Sequence, residues 1–399
     1  MPGFFNPDVW KREMPEIRKL SQCGRCGLAR QCHTPRMSVS GKGKRKILFV
    51  AEAPGKEEDK KGTQLIGDAG QLLRRILKKM NYDLEDCWKT NAIICRPPKN
   101  KIKDIYIDCC RPNILKTIKE LKPKVIVLLG LSAVKSLISV EWKKNMGTLG
   151  KWLGWTIPSL THNAWLCPTY HPSYIMRMNE DPALVKVFRE HLQHALSLED
   201  KPLQIQSLQS LKDQIEIIMD PAPANKRLSD LSKKEGILAF DYETTGLKPD
   251  WKKHRIVSYS FCLNGQDTFA CQADPSHHSA LLKILQNPNL RKVASNIKFE
   301  NRWTKAKIGC DIVGWFWDTM LAAHILDNRP GITSLKFQSY VHFGVPEYDE
   351  EVSPYFANSA TSKLSQIDML NPKILLIYNG LDSLLEYKLM EKQRELMIR

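Results

Sequence analysis

A chain of 399 residues accommodates two or three ordinary domains, each with its own core. No run of eighteen apolar residues exists to span a bilayer as a helix, and residues 1–10 lack the charged start and apolar stretch of a secretory leader, so a soluble, cytoplasmic protein with no membrane partner is expected. The formal net charge of +17 is uneven, with 35 basic against 20 acidic residues in 1–200 but 21 against 19 in 231–399, which points to nucleic acid as a partner of the N-terminal half.

In chain order, the first pattern is a C-x2-C pair, Cys23-Gly-Arg-Cys26. Eight of the eleven cysteines precede residue 200, and without a leader they read as ligands of zinc or of an iron–sulfur cluster rather than as disulfides. Spacing alone does not choose between the two. The isolated Cys262, Cys271 and Cys310 read as core residues. The apolar run Ile47–Ala51 predicts a buried strand, residues 69–80 a helix, and Val125–Leu129 a second buried strand before Gly130. This alternation predicts an α/β domain with a mostly parallel sheet, whose ligand sits at the carboxyl ends of the strands. A short helix is predicted over 207–219, then a polar, proline-containing stretch over 220–227. A second α/β pattern opens with Gly236-Ile-Leu-Ala-Phe-Asp241, and the domains are expected to be 1–200 and 201–399.

Four separated segments carry the chemistry of the first half: Glu52-Ala-Pro-Gly-Lys-Glu-Glu-Asp59, Thr90-Asn91-Ala-Ile-Ile-Cys95-Arg-Pro-Pro98, Cys110-Arg-Pro112 and His171-Pro-Ser-Tyr-Ile-Met-Arg177. A side-chain amide such as that of Asn91 offers one donor and one acceptor edge, which suits uracil. His171 precedes Pro172, a residue favoured in the first turn of a helix, where imidazole and N–H groups can stabilise an anion. In order and spacing the segments resemble the iron–sulfur uracil-DNA glycosylases of family 4 across roughly residues 20–195. The resemblance implies an α/β/α fold and a structural [4Fe–4S] cluster on Cys23, Cys26, Cys95 and Cys110. Cys109 remains an alternative to Cys110, and Cys32 and Cys87 are expected as bystanders. It also implies a flipped uracil, extruded at a cost of about a few kcal/mol. Asn91 would read it, His171 would stabilise the departing base, and Glu52 with Ala53, Pro54 and Gly55 would hold the sugar side and the attacking water. Ser173 would line the substrate site, and Arg177 would grip phosphate. One segment departs from the family: Gly62-Thr-Gln-Leu65-Ile-Gly67 stands where Gly-x-Pro-Phe is usual, so Gln64 replaces Pro and Leu65 replaces the Phe that stacks on the base. Lost stacking, worth about 1–3 kcal/mol per base, implies reduced activity or uracil binding without efficient cleavage.

In the second half, Asp241 and Glu243 share one face of a strand, and Tyr378 and Asp382 one face of a helix. With Asn296-Ile-Lys-Phe-Glu300 between them, the order resembles the tyrosine subgroup of DEDD 3′–5′ exonucleases, the proofreading domain of family-A DNA polymerases, over roughly residues 203–399. The resemblance implies a ribonuclease H-like α/β fold with a mixed sheet. Two Mg²⁺ or Mn²⁺ ions would sit on Asp241, Glu243, Glu300 and Asp382, with Asn296 on the substrate and Tyr378 orienting water. Glu300 stands where the family has Asp, and its extra methylene strains an octahedral Mg²⁺ site. Asp318 is expected to be structural. The chain ends where a family-A polymerase would continue, so a separate polymerase subunit, as in a bacteriophage system, is an expected partner besides single-stranded or primer–template DNA. The competing reading is a non-catalytic DNA-binding and polymerase-docking subunit that keeps both folds.

Overall fold

The computed structural model describes residues 23–356 and 365–398. Residues 1–10, read above for a leader, lie outside them. The chain is α/β throughout and divides into two compact units, Met1–Ile205 and Gln206–Arg399.

Unit 1 is built on five strands, β1 (Ile47–Ala51), β2 (Trp88–Asn91), β3 (Val125–Leu129), β4 (Ile157–Ser159) and β5 (Ala164–Thr169), in the order β2-β1-β3-β5-β4. All neighbouring pairs are parallel except β4 with β5. Its helices are α1 (Cys23–Cys26), α2 (Lys56–Lys61), α3 (Asp68–Lys78), α4 (Asp104–Leu121), α5 (Leu131–Leu137), α6 (Pro172–Arg177) and α7 (Pro182–Leu196). Ile47, Phe49, Val125 and Val127 face the apolar stripe of α3 and α7, formed by Leu72, Leu73, Leu77, Phe188 and Leu192. Leu48, Val50, Ile126 and Leu128 on the opposite face are equally buried, and α5 packs against β1 and β3. Strands covered on both faces have no polar alternation, which is why they read as continuous apolar runs.

Unit 2 carries a mixed sheet of β6 (Ile215–Ile218), β7 (Gly236–Thr244), β8 (Ile256–Leu263), β9 (Asp267–Gln272), β10 (Leu290–Ala294) and β11 (Trp315–Asp318), in the order β11-β10-β7-β8-β9-β6. β7–β8 and β8–β9 are antiparallel, and the remaining pairs parallel. Helices α8 (Ile297–Lys307), α9 (Thr319–Leu326), α10 (Leu335–Phe343) and α11 (Pro372–Ile398) follow. Leu238, Phe240 and Tyr242 point into one core, while Ile237 and Ala239 pack on Leu376, Leu381, Leu384 and Leu385 of α11.

One expectation is corrected here. Residues 207–219 are not one helix: after a single helical turn at Leu208–Lys212, Ile215-Glu-Ile-Ile218 becomes β6, whose β-branched residues find a parallel partner in β9. The polar, proline-containing stretch at 220–227 starts a helix, Pro221–Leu231, because both prolines fall in its first turn, where no intrahelical N–H is needed, and Ala224, Leu228 and Leu231 face the core.

Candidate active sites

In unit 1 the chemistry gathers at the carboxyl ends of four adjacent parallel strands. Asn91 ends β2, Glu52 follows β1, Gly130 follows β3, and His171 comes two residues after β5. The Glu52 carboxylate is docked on the start of α5, where its Oε1 accepts from the Ser132 N–H at 3.1 Å and the Ser132 hydroxyl at 2.9 Å. Gly130 has φ 91°, and a Cβ there would lie 2.8 Å from the Glu52 carboxyl carbon, so only glycine fits. Nδ1 of His171 accepts the Ser173 N–H at 3.2 Å and lies 2.8 Å from the Ser173 hydroxyl, which in turn accepts from Arg177 at 3.2 Å. An N–H only donates, so Nδ1 carries no proton and the neutral ring bears it on Nε2. Burial, reinforced by Arg177, lowers the His171 pKa, with Glu52 and Glu58 pulling the other way. Glu58 ties the Ala53-Pro54-Gly55 loop to the next one by accepting from Ile66 N–H at 3.0 Å and Gly67 N–H at 2.7 Å. Leu65, at φ 52°, is buried in the core with Leu72 and Leu73. Gln64 is fully buried: it donates to the Ser38 carbonyl at 3.1 Å and accepts from the Asn91 side-chain amide.

The thiols lie beside the Glu52 loop, whose Ala53 packs against their apolar cluster. Cys23 and Cys26 flank the single turn of α1, Cys95 follows β2, and Cys110 lies on α4. The Cys95 sulfur accepts Arg36 N–H at 3.2 Å, and Cys110 accepts Ile94 N–H at 3.4 Å and the Asn113 amide at 3.6 Å. Leu28, Ile93 and Ile107 surround Cys95 and Cys110, with Cys26 and Cys32 packed against them. Burial pushes the Cys95 thiol up to about 12, and its neighbours Cys32 and Cys110 add to the rise. Cys32 packs against the apolar cluster that holds Cys95, whereas Cys87 lies in the sheet core. Among the described residues no three cysteine sulfurs lie within 4.8 Å of one another.

In unit 2, Asp241 and Glu243 continue the Ile237–Ala239 face of β7, the face that takes α11, so a period of two points both carboxylates at Tyr378 and Asp382. Asp241, Glu243 and Asp382 have ligand oxygens within 4.8 Å of one another, and Glu300 stands outside this group. Asn379 donates to Asp241 Oδ2 at 2.7 Å and is itself held by Ser258 at 3.0 Å. Lys336 of α10 reaches Asp382 Oδ2 at 2.6 Å, the Tyr348 hydroxyl binds Asp382 Oδ1, and the Lys336 ammonium lies 4.6 Å from the Tyr378 ring centre. Burial first, then repulsion from neighbouring carboxylates, Asp382 acting on Asp241 and Asp241 on the other three, hold Asp241, Glu243, Glu300 and Glu386 well above the usual carboxylate range. Glu300 and Glu386 each keep a buried Oε2 without a hydrogen-bond partner. Asp318 is a tie: its carboxylate accepts the N–H groups of Asn296, Ile297, Met320 and Leu321. Asn296 itself, at φ 75°, stands at the N-cap position of α8 without a capping bond from its side chain.

The uracil DNA glycosylase superfamily model matches residues 39–193, and a 3′–5′ exonuclease model matches residues 215–390. The type-4 uracil-DNA glycosylase of Pyrobaculum aerophilum is 32% identical over 179 residues, covering 43% of this chain and 87% of its own length. That of Thermotoga maritima is 32% identical over 196 residues, covering 47% and 95%. The chain belongs to the type-4 uracil-DNA glycosylase family. This family member continues into a 3′–5′ exonuclease domain, and a DNA polymerase of Bacillus phage SP01 is 24% identical over 325 residues, covering 73% of this chain and 34% of that polymerase. Within the glycosylase domain, Ser132 and Gln64 had no assigned role in the sequence, because their partners Glu52 and Asn91 lie 80 and 27 residues away. Lys336, Tyr348, Asn379 and Glu386 of the exonuclease domain were missed for the same reason. Only Asn379 and Glu386, on the helix that carries Tyr378 and Asp382, had a signal to find them by, and Glu386 lies one turn beyond Asp382.

Proposed function

We propose that the chain excises uracil from DNA by N-glycosidic hydrolysis and shortens DNA 3′ ends, using one active site in each unit. The observation that carries the first activity is the convergence of Asn91, Glu52 and His171 on the carboxyl ends of one parallel sheet. In this reading Asn91 pairs with the uracil edge, and the Nε2–H of neutral His171 donates to the oxygen that gains charge as the base departs. Glu52, aimed by Ser132 and Gly130, holds the attacking water or offsets positive charge on the sugar. Ala53, Pro54 and Gly55 line the sugar side, Ser173 fixes the imidazole, and exposed Arg177 takes phosphate. Leu65 closes the pocket floor from the core.

An iron–sulfur cluster fits the thiols present. Four sulfurs on one tetrahedral zinc would lie about 3.8 Å apart, closer than any three cysteine sulfurs found here, and the N–H groups aimed at Cys95 and Cys110 suit cluster sulfur ligands. Cys23, Cys26, Cys95 and Cys110 would hold it. Cys110 is preferred to Cys109 because it shares the apolar shell of Cys95. Such a cluster fastens α1 and α4 to the loop after β2.

The exonuclease reading rests on three carboxylates converging in a buried site that disfavours their shared charge, a fit for divalent cations. Asp241, Glu243 and Asp382 would hold Mg²⁺ or Mn²⁺, with the buried Glu300 as the fourth carboxylate of the proposed ligand set. Bound there, two such ions supply Lewis-acid stabilisation of the attacking and leaving oxygens. Tyr378 orients the water, and Asn296 faces the substrate strand. DNA, single-stranded or at a primer terminus, is the substrate and the cytoplasm its place. Similarity to a phage polymerase across both units supports a separate DNA polymerase as partner and a phage-type setting.

Full-length protein is expected to release uracil from single-stranded DNA and to shorten a primer in Mg²⁺. Neither activity, with DNA binding retained, would favour the second reading of a docking subunit, to which buried Leu65 and the outlying Glu300 lend support.

A further inference from the structure

Gln64 and Asn91 form a relay of two amides that begins on a group with no choice of role. A main-chain carbonyl can only accept, so the Ser38 oxygen admits only the Nε2 end of Gln64, at 3.1 Å. Gln64 is fully buried and has no water to turn towards. Its Oε1 therefore faces Asn91, and an acceptor there admits only the Nδ2 end of the Asn91 amide. Because that amide is planar, its Oδ1 is placed on the opposite edge, with one Nδ2 hydrogen left for a ligand.

The direction of the amide decides which pyrimidine it matches. Uracil presents an acceptor at O4 beside a donor at N3, whereas cytosine presents a donor at N4 beside an acceptor at N3. A base hanging from its sugar in a closed pocket cannot turn over to exchange these positions, so reversing the Asn91 amide converts a uracil reader into a cytosine reader. An asparagine with free rotation at its terminal bond would offer both edges. We propose that Gln64 is a specificity-determining residue that locks the Asn91 amide in its uracil-reading direction, with the Ser38 carbonyl as the origin of the selection. This rests on Asn91 reading the base edge, as proposed above. A proline, usual at position 64 in the family, has no side-chain donor or acceptor and could not do it.

The test uses full-length protein and equilibrium binding, so that turnover is not required. Single-stranded oligonucleotides carrying one 2′-fluoro-2′-deoxyuridine or one 2′-fluoro-2′-deoxycytidine, both resistant to excision, are titrated by fluorescence anisotropy. The readout is the ratio of the two affinities, which is insensitive to the fraction of folded protein. Wild type is expected to prefer the uracil probe. Gln64→Met, close in volume but with no donor for the Ser38 carbonyl and only a weakly accepting sulfur, should cut the preference about tenfold, the value of one hydrogen bond that sets orientation. Gln64→Leu serves if the Met variant fails to fold, and Gln64→Glu, whose protonated acid donates to the Ser38 carbonyl and accepts from Asn91, should retain the preference. In an Asn91→Ala background, Gln64→Met should change the ratio no further. Equal weakening of both probes by Gln64→Met, or an undiminished effect in the Asn91→Ala background, would show a merely structural role and overturn the inference. If Asn91→Ala abolishes the preference and Gln64→Met leaves it intact, this inference fails alone. A wild type without preference, or one whose preference survives Asn91→Ala, removes the Asn91 reading and this inference together.

Discussion

His171 is a base kept neutral by what surrounds it. The Ser173 N–H occupies Nδ1, and burial lowers the pKa below the ordinary histidine value, so the ring stays uncharged as pH falls towards about 6.5. Single-turnover uracil release should therefore run flat from pH 8 to about 6.5 without an inflection at the upper value of a free imidazole. A break near 6.5 would mean that the ring titrates like an exposed one. His171→Ala should lower the rate by about 10²–10³ across that whole window, the usual loss when a donor to a developing anion is removed. Lys336 makes the opposite case in unit 2. Its ammonium already neutralises Asp382 at 2.6 Å, so Lys336→Met removes a competitor for that carboxylate. The Mg²⁺ concentration for half-maximal 3′ shortening should fall in this variant, and a rise would show that the lysine supports the site rather than competing for it.

Among the elements, α11 bears most on the exonuclease site, because Tyr378, Asn379 and Asp382 all depend on its seat against the sheet. Gly380 lies between them, and a Cβ there would come within 2.4 Å of Ile215 Cγ2 on β6. Gly380→Ala should push the helix off the strand, destabilise the unit by about 1–3 kcal/mol in a melting experiment and slow 3′ shortening, while uracil release holds. The paired residues Asp241/Glu243 and Tyr378/Asp382 were legible because two local periods, of the strand and of the helix, place them on shared faces. The strands at 47–51 and 125–129 were legible because burial on both sides leaves an unbroken apolar run. β6 was not, since Ile215-Glu-Ile-Ile218 has only four residues and its strand form depends on β9, about fifty residues on. Gln64 was seen only as a missing proline. Its meaning depends on Ser38 and Asn91, which no local pattern connects to it.

Along the chain, the two sets of chemical groups fall in separate units. The glycosylase groups fall between Glu52 and Arg177 and the exonuclease groups between Asp241 and Asp382, each set on its own sheet. Asp241→Ala should abolish 3′ shortening and leave uracil release unchanged, since residues with no shared partner act additively. EDTA should stop shortening in the same way. Cys95→Ala and Cys110→Ala should lower bound iron, measured by metal analysis of anaerobic protein, and Cys87→Ala should not. Iron unchanged in the first two would remove the proposed ligand set.

Among the described residues no strand of either sheet is borrowed from the other half of the chain, and the division falls at residues 205–206. A genetic crossover at that point would exchange one whole sheet with its catalytic groups for another. Moved about fifteen residues downstream, past β6, the same crossover would strand Ile215 with the wrong partner and take away the strand that Gly380 of α11 packs against. The gene thus has a narrow window in which its two halves can be shuffled as working parts, and that window closes before Ile215.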